Sequence, residues 1–151
     1  MSGAEATVSL REVTAANLAD ILDLRVRDDQ EKFVVSNAVS IAHAHFNEAA
    51  WYRAIYADET PVGFLMLADD PEDGSYYLWR LMIGAQHQGR GYGRRAMELL
   101  IEHVKMLLGG SVLKSNHAPG EGSPAEFYRR LGFQHTGRED EHGELEIRLV
   151  L

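Results

Sequence analysis

Two short stretches carry residue types that could do chemistry. Gln86 to Ala96 reads QHQGRGYGRRA, three glycines alternating with larger residues and two arginines directly after. A turn of that kind opening a helix leaves the first helical N–H groups unpaired, and the helix dipole favours negative charge there. It is a cradle for phosphate, with Arg90, Arg94 and Arg95 adding positive charge. Further on, Glu126-Phe127-Tyr128-Arg129-Arg130-Leu131-Gly132-Phe133 contains a phenol, Tyr128, a side-chain type that can donate a proton. The chain has no cysteine, which excludes disulfides, thiolate metal sites and a cysteine nucleophile. His43 and His45 sit two apart on an expected helix and point to different faces, and the other five histidines are scattered, so no metal site is expected.

Three loop types compete for the glycine stretch. The Walker A pattern needs a Lys-Ser or Lys-Thr pair after its last glycine, and none is present. The dinucleotide fingerprint fits at Gly91-Tyr92-Gly93-Arg94-Arg95-Ala96, but it requires a carboxylate at the end of the next strand, where Asn116 and His117 stand instead. The third form, [QR]-x-x-G-x-[GA] after a buried strand, fits at Gln88-Gly89-Arg90-Gly91-Tyr92-Gly93.

These residues need elements to hold them. Thr7 to Val13 alternates as a strand, and Thr14 is expected to cap a helix running to about Leu24. Ser36-Asn37 opens a second helix, roughly 37–48. Trp51–Ala57 and Val62–Leu67 form a hairpin around Asp58-Glu59-Thr60-Pro61. An acidic turn, Asp69 to Gly74, leads into the aromatic and aliphatic strand Ser75–Ile83. Residues 93–108 carry apolar side chains on one helical face, and Gly109-Gly110 stops that helix. Ser111–Ser115 is a short strand, Ser123-Pro124 starts a short helix that ends at Leu131-Gly132, and 133–136 with 144–151 close the chain as a strand pair. Strand runs precede one strand–helix–strand unit, so the sheet is mixed (an α+β arrangement) and not doubly wound.

At 151 residues the chain has the size of one domain, here residues 1–151, and such a domain buries about 68–70% of its unfolded surface. The net charge of −8 repels nucleic acid and anionic membranes and attracts cations. The opening MSGAEATVSL lacks a basic segment followed by an apolar run, and no apolar run approaches the roughly 18–20 residues of a membrane span. A soluble cytoplasmic protein is expected. The acidic run Asp69, Asp70, Glu72, Asp73 could attract a polycation or simply be a solvated turn.

The loop at 88–93, the FY-LGF segment at 127–133 with Thr136-Gly137 after it, and the element order resemble the GNAT superfamily of N-acetyltransferases along essentially the entire chain. The resemblance implies a central, largely antiparallel sheet of about seven strands with four helices, splayed between the fourth and fifth strands. It implies acetyl-CoA as cofactor, its pyrophosphate held by main-chain groups of Gln88, Gly89, Arg90, Gly91, Tyr92 and Gly93, with Arg94 beside them. The pantetheine arm is then expected to pair with the backbone of Leu81, Met82 and Ile83. Tyr128 becomes the acid for the leaving thiolate.

Narrower likenesses, Gln30-x-x-Phe33-Val34-x-x-Asn37-x-x-Ser40 and Tyr77–Ile83, are to bacterial spermine/spermidine acetyltransferases. They imply a polyamine acceptor, with acceptor contacts expected from Glu31, Asn37, Trp79 and Glu121; direct attack in a ternary complex is expected because no cysteine exists to carry an acetyl-enzyme. They also carry the expectation of a homodimer. Two positions depart from the pattern: Trp79 stands where many relatives have a glutamate base, and Glu121 where an asparagine is common. Another small amine or a protein N-terminus remains open as acceptor, and the Trp79 departure leaves open a non-catalytic CoA-binding sensor.

Overall fold

The computed structural model describes residues 6–70, 75–107, 110–120 and 123–151. Seven strands form one sheet in the order β1-β2-β3-β4-β5-β7-β6. The strands are β1 (Val8–Arg11), β2 (Ala50–Ala57), β3 (Thr60–Asp70), β4 (Ser75–Ile83), β5 (Val112–His117), β6 (Gln134–Glu139) and β7 (Leu145–Val150). The helices are α1 (Leu18–Asp23), α2 (Asn37–His45), α3 (Tyr92–Lys105) and α4 (Ala125–Arg130), with short 3-10 helices at Asp28–Phe33 and Ala85–His87. All neighbouring strands run antiparallel except β4 and β5. The mixed sheet, its strand count and the four helices agree with the expectation from sequence.

The two faces of the sheet bury separate apolar clusters. One gathers Ile55, Leu65, Leu78, Leu113 and Ile147 under Ala96, Met97, Leu100 and Val104 of α3 and Phe133 beyond α4. Those four α3 residues recur with helical spacing, so one stripe of the helix is dry, and each large side chain buried there is worth about 1.5–3 kcal/mol. The other cluster, Ile21, Ala54, Tyr56, Phe64, Met66 and Met82, lies on the α1–α2 side.

Three helix ends differ most from those expected, and β3, β5 and β6 run on to Asp70, His117 and Glu139. Thr14 does not begin α1: its N–H donates to Asn17 Oδ1 and its carbonyl accepts from the Asn17 and Leu18 amides, so a turn consumes 14–17 before the helix begins. Helix α2 ends at His45 rather than 48, because the Phe46 and Asn47 amides already turn back to His43 and Ala44. Helix α3 ends at Lys105, with the Met106 and Leu107 amides closing tight turns on His103 and Val104, although its apolar spacing continues. The stop assigned to Gly109, the acidic turn at 71–74 and Glu121 lie outside the described residues. Among the described residues no helix is long and apolar enough to cross a membrane.

Candidate active site

The site begins where β4 and β5 part. They pair over three residues only, Ser75↔Val112, Tyr76↔Leu113 and Tyr77↔Lys114. On the other side of β4 the register with β3 passes from Leu67↔Leu78 to Met66↔Arg80, so Trp79 is an extra residue with no partner. A bulge bends and twists its strand, and here it swings the second half of β4 away from β5. It also reverses side-chain alternation: Leu78 and Leu81 both pack on the α3 face, whereas Trp79 and Met82 belong to the α1–α2 face. The strands diverge into a cleft of ≈ 1190 Å³ whose walls include Leu81, Ile83, Ser115, Asn116, Phe127 and Tyr128.

The glycine turn closes one end. Gly89 and Gly91 have φ of 78° and 80°, the left-handed region that glycine tolerates best, and a Cβ on either would meet nothing within 4 Å. The space above them is therefore open to a ligand. Gly91 is the N-cap of the 14-residue α3, without a side-chain cap, so the first amides of that helix point outward unpaired. Gly93 works differently: a Cβ there would meet Phe127 and Ile83 at 3.4–3.5 Å, so this glycine allows α3 to start close against β4 and α4.

The side chains around the turn divide their duties. Gln88 Nε2 donates to the Ile83 carbonyl and to Gln30 Oε1, both at 2.8 Å, tying the turn to the end of β4 and to the 28–33 helix. Arg94 lines the cleft and pairs with Glu98 at 3.8 Å, while Tyr92 lines it beside Gly93. Arg90 is exposed and its side chain is not among the cleft walls; the His87 imidazole is held below its ordinary pKa first by its own burial and then by the charge of Arg90. Arg95 turns away: it donates to the Ala6 carbonyl and lies over the Tyr92 ring at 5.5 Å. Arg27 and Lys32 also line the cleft, cations with no motif around them to announce their role.

Tyr128 stands at the fork. It is 7% exposed, wedged between the Phe127 and Phe133 rings at 5.3 and 5.4 Å. Its hydroxyl hydrogen-bonds to Ser115, whose own proton goes to the Leu78 carbonyl at 2.9 Å. Burial raises the phenol well above its ordinary pKa, so it is protonated at any physiological pH.

The opposite wall carries aromatic and acidic side chains. Trp79 lines the cleft with His43 of α2 stacked on it at 5.9 Å and 13°. The turn between β6 and β7 brings in Asp140, His142 and Glu144. The Asp140 carboxyl is held below the usual range chiefly by the Glu144 amide, then by those of His142 and Asn116, at 2.9, 2.8 and 3.3 Å. Glu31 lines the cleft. Asn37 does not: it is 2% exposed, its amide donates to the Ile21 carbonyl at 2.9 Å, and it borders only a smaller cavity of ≈ 240 Å³. Glu31 is shared by both spaces. Ser115, Tyr77, Arg80 and Glu144 went unnoticed as candidates because no local pattern marks them. Among the described residues no three metal-ligating side chains cluster.

The fold and the fork define a class: residues 18–133 match the model of the Acetyltransferase (GNAT) family, and the chain belongs to that family. It is 30% identical to the spermine/spermidine N(1)-acetyltransferase of Bacillus subtilis strain 168, over 91% of this chain and 95% of that protein. Its fold is similar to the spermidine N-acetyltransferase of Vibrio cholerae solved with CoA and spermine (TM-score 0.76, 15% identity, 95% of each chain). It is also similar to the PaiA N-acetyltransferase of Thermoplasma acidophilum solved with coenzyme A (TM-score 0.70, 13% identity, 96% of this chain and 99% of that one).

Proposed function

We propose that this acetyltransferase moves the acetyl group of acetyl-CoA directly to a primary amine, with a polyamine such as spermidine as acceptor. The observation that carries the reading is the fork itself: one cleft joins an open glycine turn, a protonated phenol and an acidic rim. The curated relative that acetylates spermine and spermidine supports the acceptor class. The apolar clusters on the two faces of one sheet support reading the chain as a single catalytic domain.

The cofactor fits what the residues offer. Free α3 amides and the open space over Gly89 and Gly91 suit a pyrophosphate, with Arg94 at hand. The β5-facing edge of β4 from Leu81 to Ile83 has no strand against it and can pair with an extended amide-bearing chain. An N–H donor on that edge aimed at the thioester oxygen would stabilise its developing negative charge, and losing one such donor typically costs about 3–4 kcal/mol. When bound, acetyl-CoA supplies an activated acyl carbon and a thiolate leaving group.

Tyr128 then gives the thiolate its proton. In water a phenol near 10 is a weaker acid than a thiol near 8.5, and burial raises Tyr128 further. The same dry wall also destabilises a thiolate formed against it, which restores part of the driving force. On the acceptor side, Glu31, Asp140 and Glu144 offer negative charge to the distal ammonium groups of a polyamine, and the Trp79 ring forms an apolar wall for its methylenes.

The test is amine-dependent thiol release from acetyl-CoA, followed spectrophotometrically across polyamines, monoamines and peptides. Fastest turnover with spermidine or spermine is expected. Tight CoA binding without thiol release for any amine would refute the enzyme reading, and turnover restricted to peptides would refute the polyamine.

A further inference from the structure

Arg80 is the anomaly of the acceptor wall. It lines the cleft half-buried, next to the bulge residue Trp79, and its Nη1 donates to the Trp79 carbonyl at 2.9 Å. Its guanidinium carbon lies 5.5 Å from the Trp79 ring centroid. Its Nε is buried without a hydrogen-bond partner, and among the described residues it makes no ion pair. Three other cations around the cleft have carboxylate partners, Arg27 with Asp29 at 3.3 Å, Arg94 with Glu98 at 3.8 Å and Arg130 with Glu126 at 3.2 Å, whereas Lys32, like Arg80, faces only a ring, that of Phe33 at 5.1 Å. An uncompensated cation at an acceptor site needs an explanation.

A clamp for a substrate carboxylate is disfavoured by geometry. Side-on bidentate recognition uses Nε with one Nη, and Nε is inaccessible here; end-on recognition uses both Nη groups, and Nη1 is already committed to the Trp79 carbonyl. What remains is the field of the charge. Resting on the amine-acetylation reading above, we infer that Arg80 is an electrostatic residue that lowers the pKa of the acceptor ammonium in the cleft, so that the attacking nitrogen loses its proton to solvent without a dedicated side-chain base.

The charge balance around it is mixed. On its own strand stand Tyr77 and Trp79. From β5 come Asn116 and His117, from the β6–β7 turn Asp140, His142 and Glu144, from the 28–33 helix Glu31 and Lys32, and from α2 His43 behind Trp79. Of these, Tyr77 and Glu144 exert the resolved charge effects on Arg80. Glu144 opposes the effect of Arg80 on a bound amine, which makes it an internal control.

The proton count closes. The bound ammonium, ordinarily near 10.4, releases one proton to water. The nitrogen lone pair forms the C–N bond, the C–S bond breaks with its electron pair on sulfur, and the thiolate takes a proton from Tyr128. The nitrogen gives up its second proton, which restores the phenol.

The experiment is the pH dependence of kcat with saturating spermidine, and with butylamine as a monoamine control, in wild type, Arg80→Gln, Arg80→Lys and Glu144→Gln. The kcat profile is the right readout because it reports groups in the bound complex, whereas kcat/KM reports free enzyme and free amine. A full charge within a few ångströms is worth about 1–2 pH units here, so Arg80→Gln should move the ascending limb up by that amount and cut kcat at pH 7 about 10–100-fold. Arg80→Lys should retain most of the wild-type position, and Glu144→Gln should move the limb down. Unchanged CoA affinity in each variant certifies the fold. An unmoved limb in Arg80→Gln overturns the inference while leaving amine acetylation standing. Wild type that acetylates no amine overturns both.

Discussion

The Ser115 hydroxyl donates to the Leu78 carbonyl at 2.9 Å, bridging β5 and β4 just past their last paired residues. One side chain therefore caps the orphan carbonyl at the fork and receives the Tyr128 hydroxyl. Ser115→Ala leaves a buried carbonyl unsatisfied and should cost about 1–3 kcal/mol of stability, a fall of roughly 2–10 °C in Tm. Thermal unfolding monitored with and without CoA measures this, and an unchanged Tm would show that water replaces the hydroxyl.

Tyr128→Phe should lower kcat about 100-fold or more while leaving the KM for acetyl-CoA near that of the wild type. The ring contacts with Phe127 and Phe133 survive the change; only the proton donor is lost. Wild-type turnover in this variant would remove Tyr128 from the chemistry.

Burial of the same phenol predicts an alkaline limit to stability. The folded pKa is raised, so the contribution is fully present below the unfolded value near 10 and is lost as pH climbs from there toward the folded value. Tyr77, also raised mainly by burial, acts in the same sense. Chemical denaturation at pH 8 and pH 11 should show a loss at the higher pH that Tyr128→Phe reduces.

Gly91→Ala and Gly91→Glu separate backbone strain from ligand exclusion. Each forces a side chain onto φ 80°, costing about 1–2 kcal/mol, but neither meets a protein atom within 4 Å at Cβ. Both should thus unfold at similar temperatures. Only the glutamate sets a carboxylate beside the proposed phosphate site, so its KM for acetyl-CoA should rise about 10-fold or more over the alanine variant. Equal KM values would place the phosphates elsewhere.

Glu144→Lys should raise the KM for spermidine more than that for a monoamine, because it reverses the charge at the rim that faces distal ammonium groups. Steady-state kinetics with both acceptors at two salt concentrations will show whether the difference shrinks on screening.

Local signals carried much of this architecture. Alternation marked the strands, Ser36 caps α2 through the Val39 amide at 3.2 Å as its position suggested, and the glycine turn lies at the head of the amphipathic α3. What stayed hidden depends on register between distant strands. Ser75–Ile83 reads as one continuous aromatic and aliphatic strand, and only its pairing with β3 shows that Trp79 has no partner. Arg80 and Glu144 are far apart in sequence, yet the order β4-β5-β7 brings both to one cleft, where the charge of Glu144 acts on Arg80. Asn37 looked like a ligand contact and instead fastens α2 to α1, because burial cannot be read from a single polar letter.

The unpaired Trp79 splits β4 into two reading frames, one on each side of a single surplus amino acid. Excising that residue would put the frames back in phase and let the strand zip along its neighbour. The sheet would gain hydrogen bonds and lose the parting between β4 and β5. For this chain, a small defect in pairing is the feature that separates a catalyst from a sealed wall.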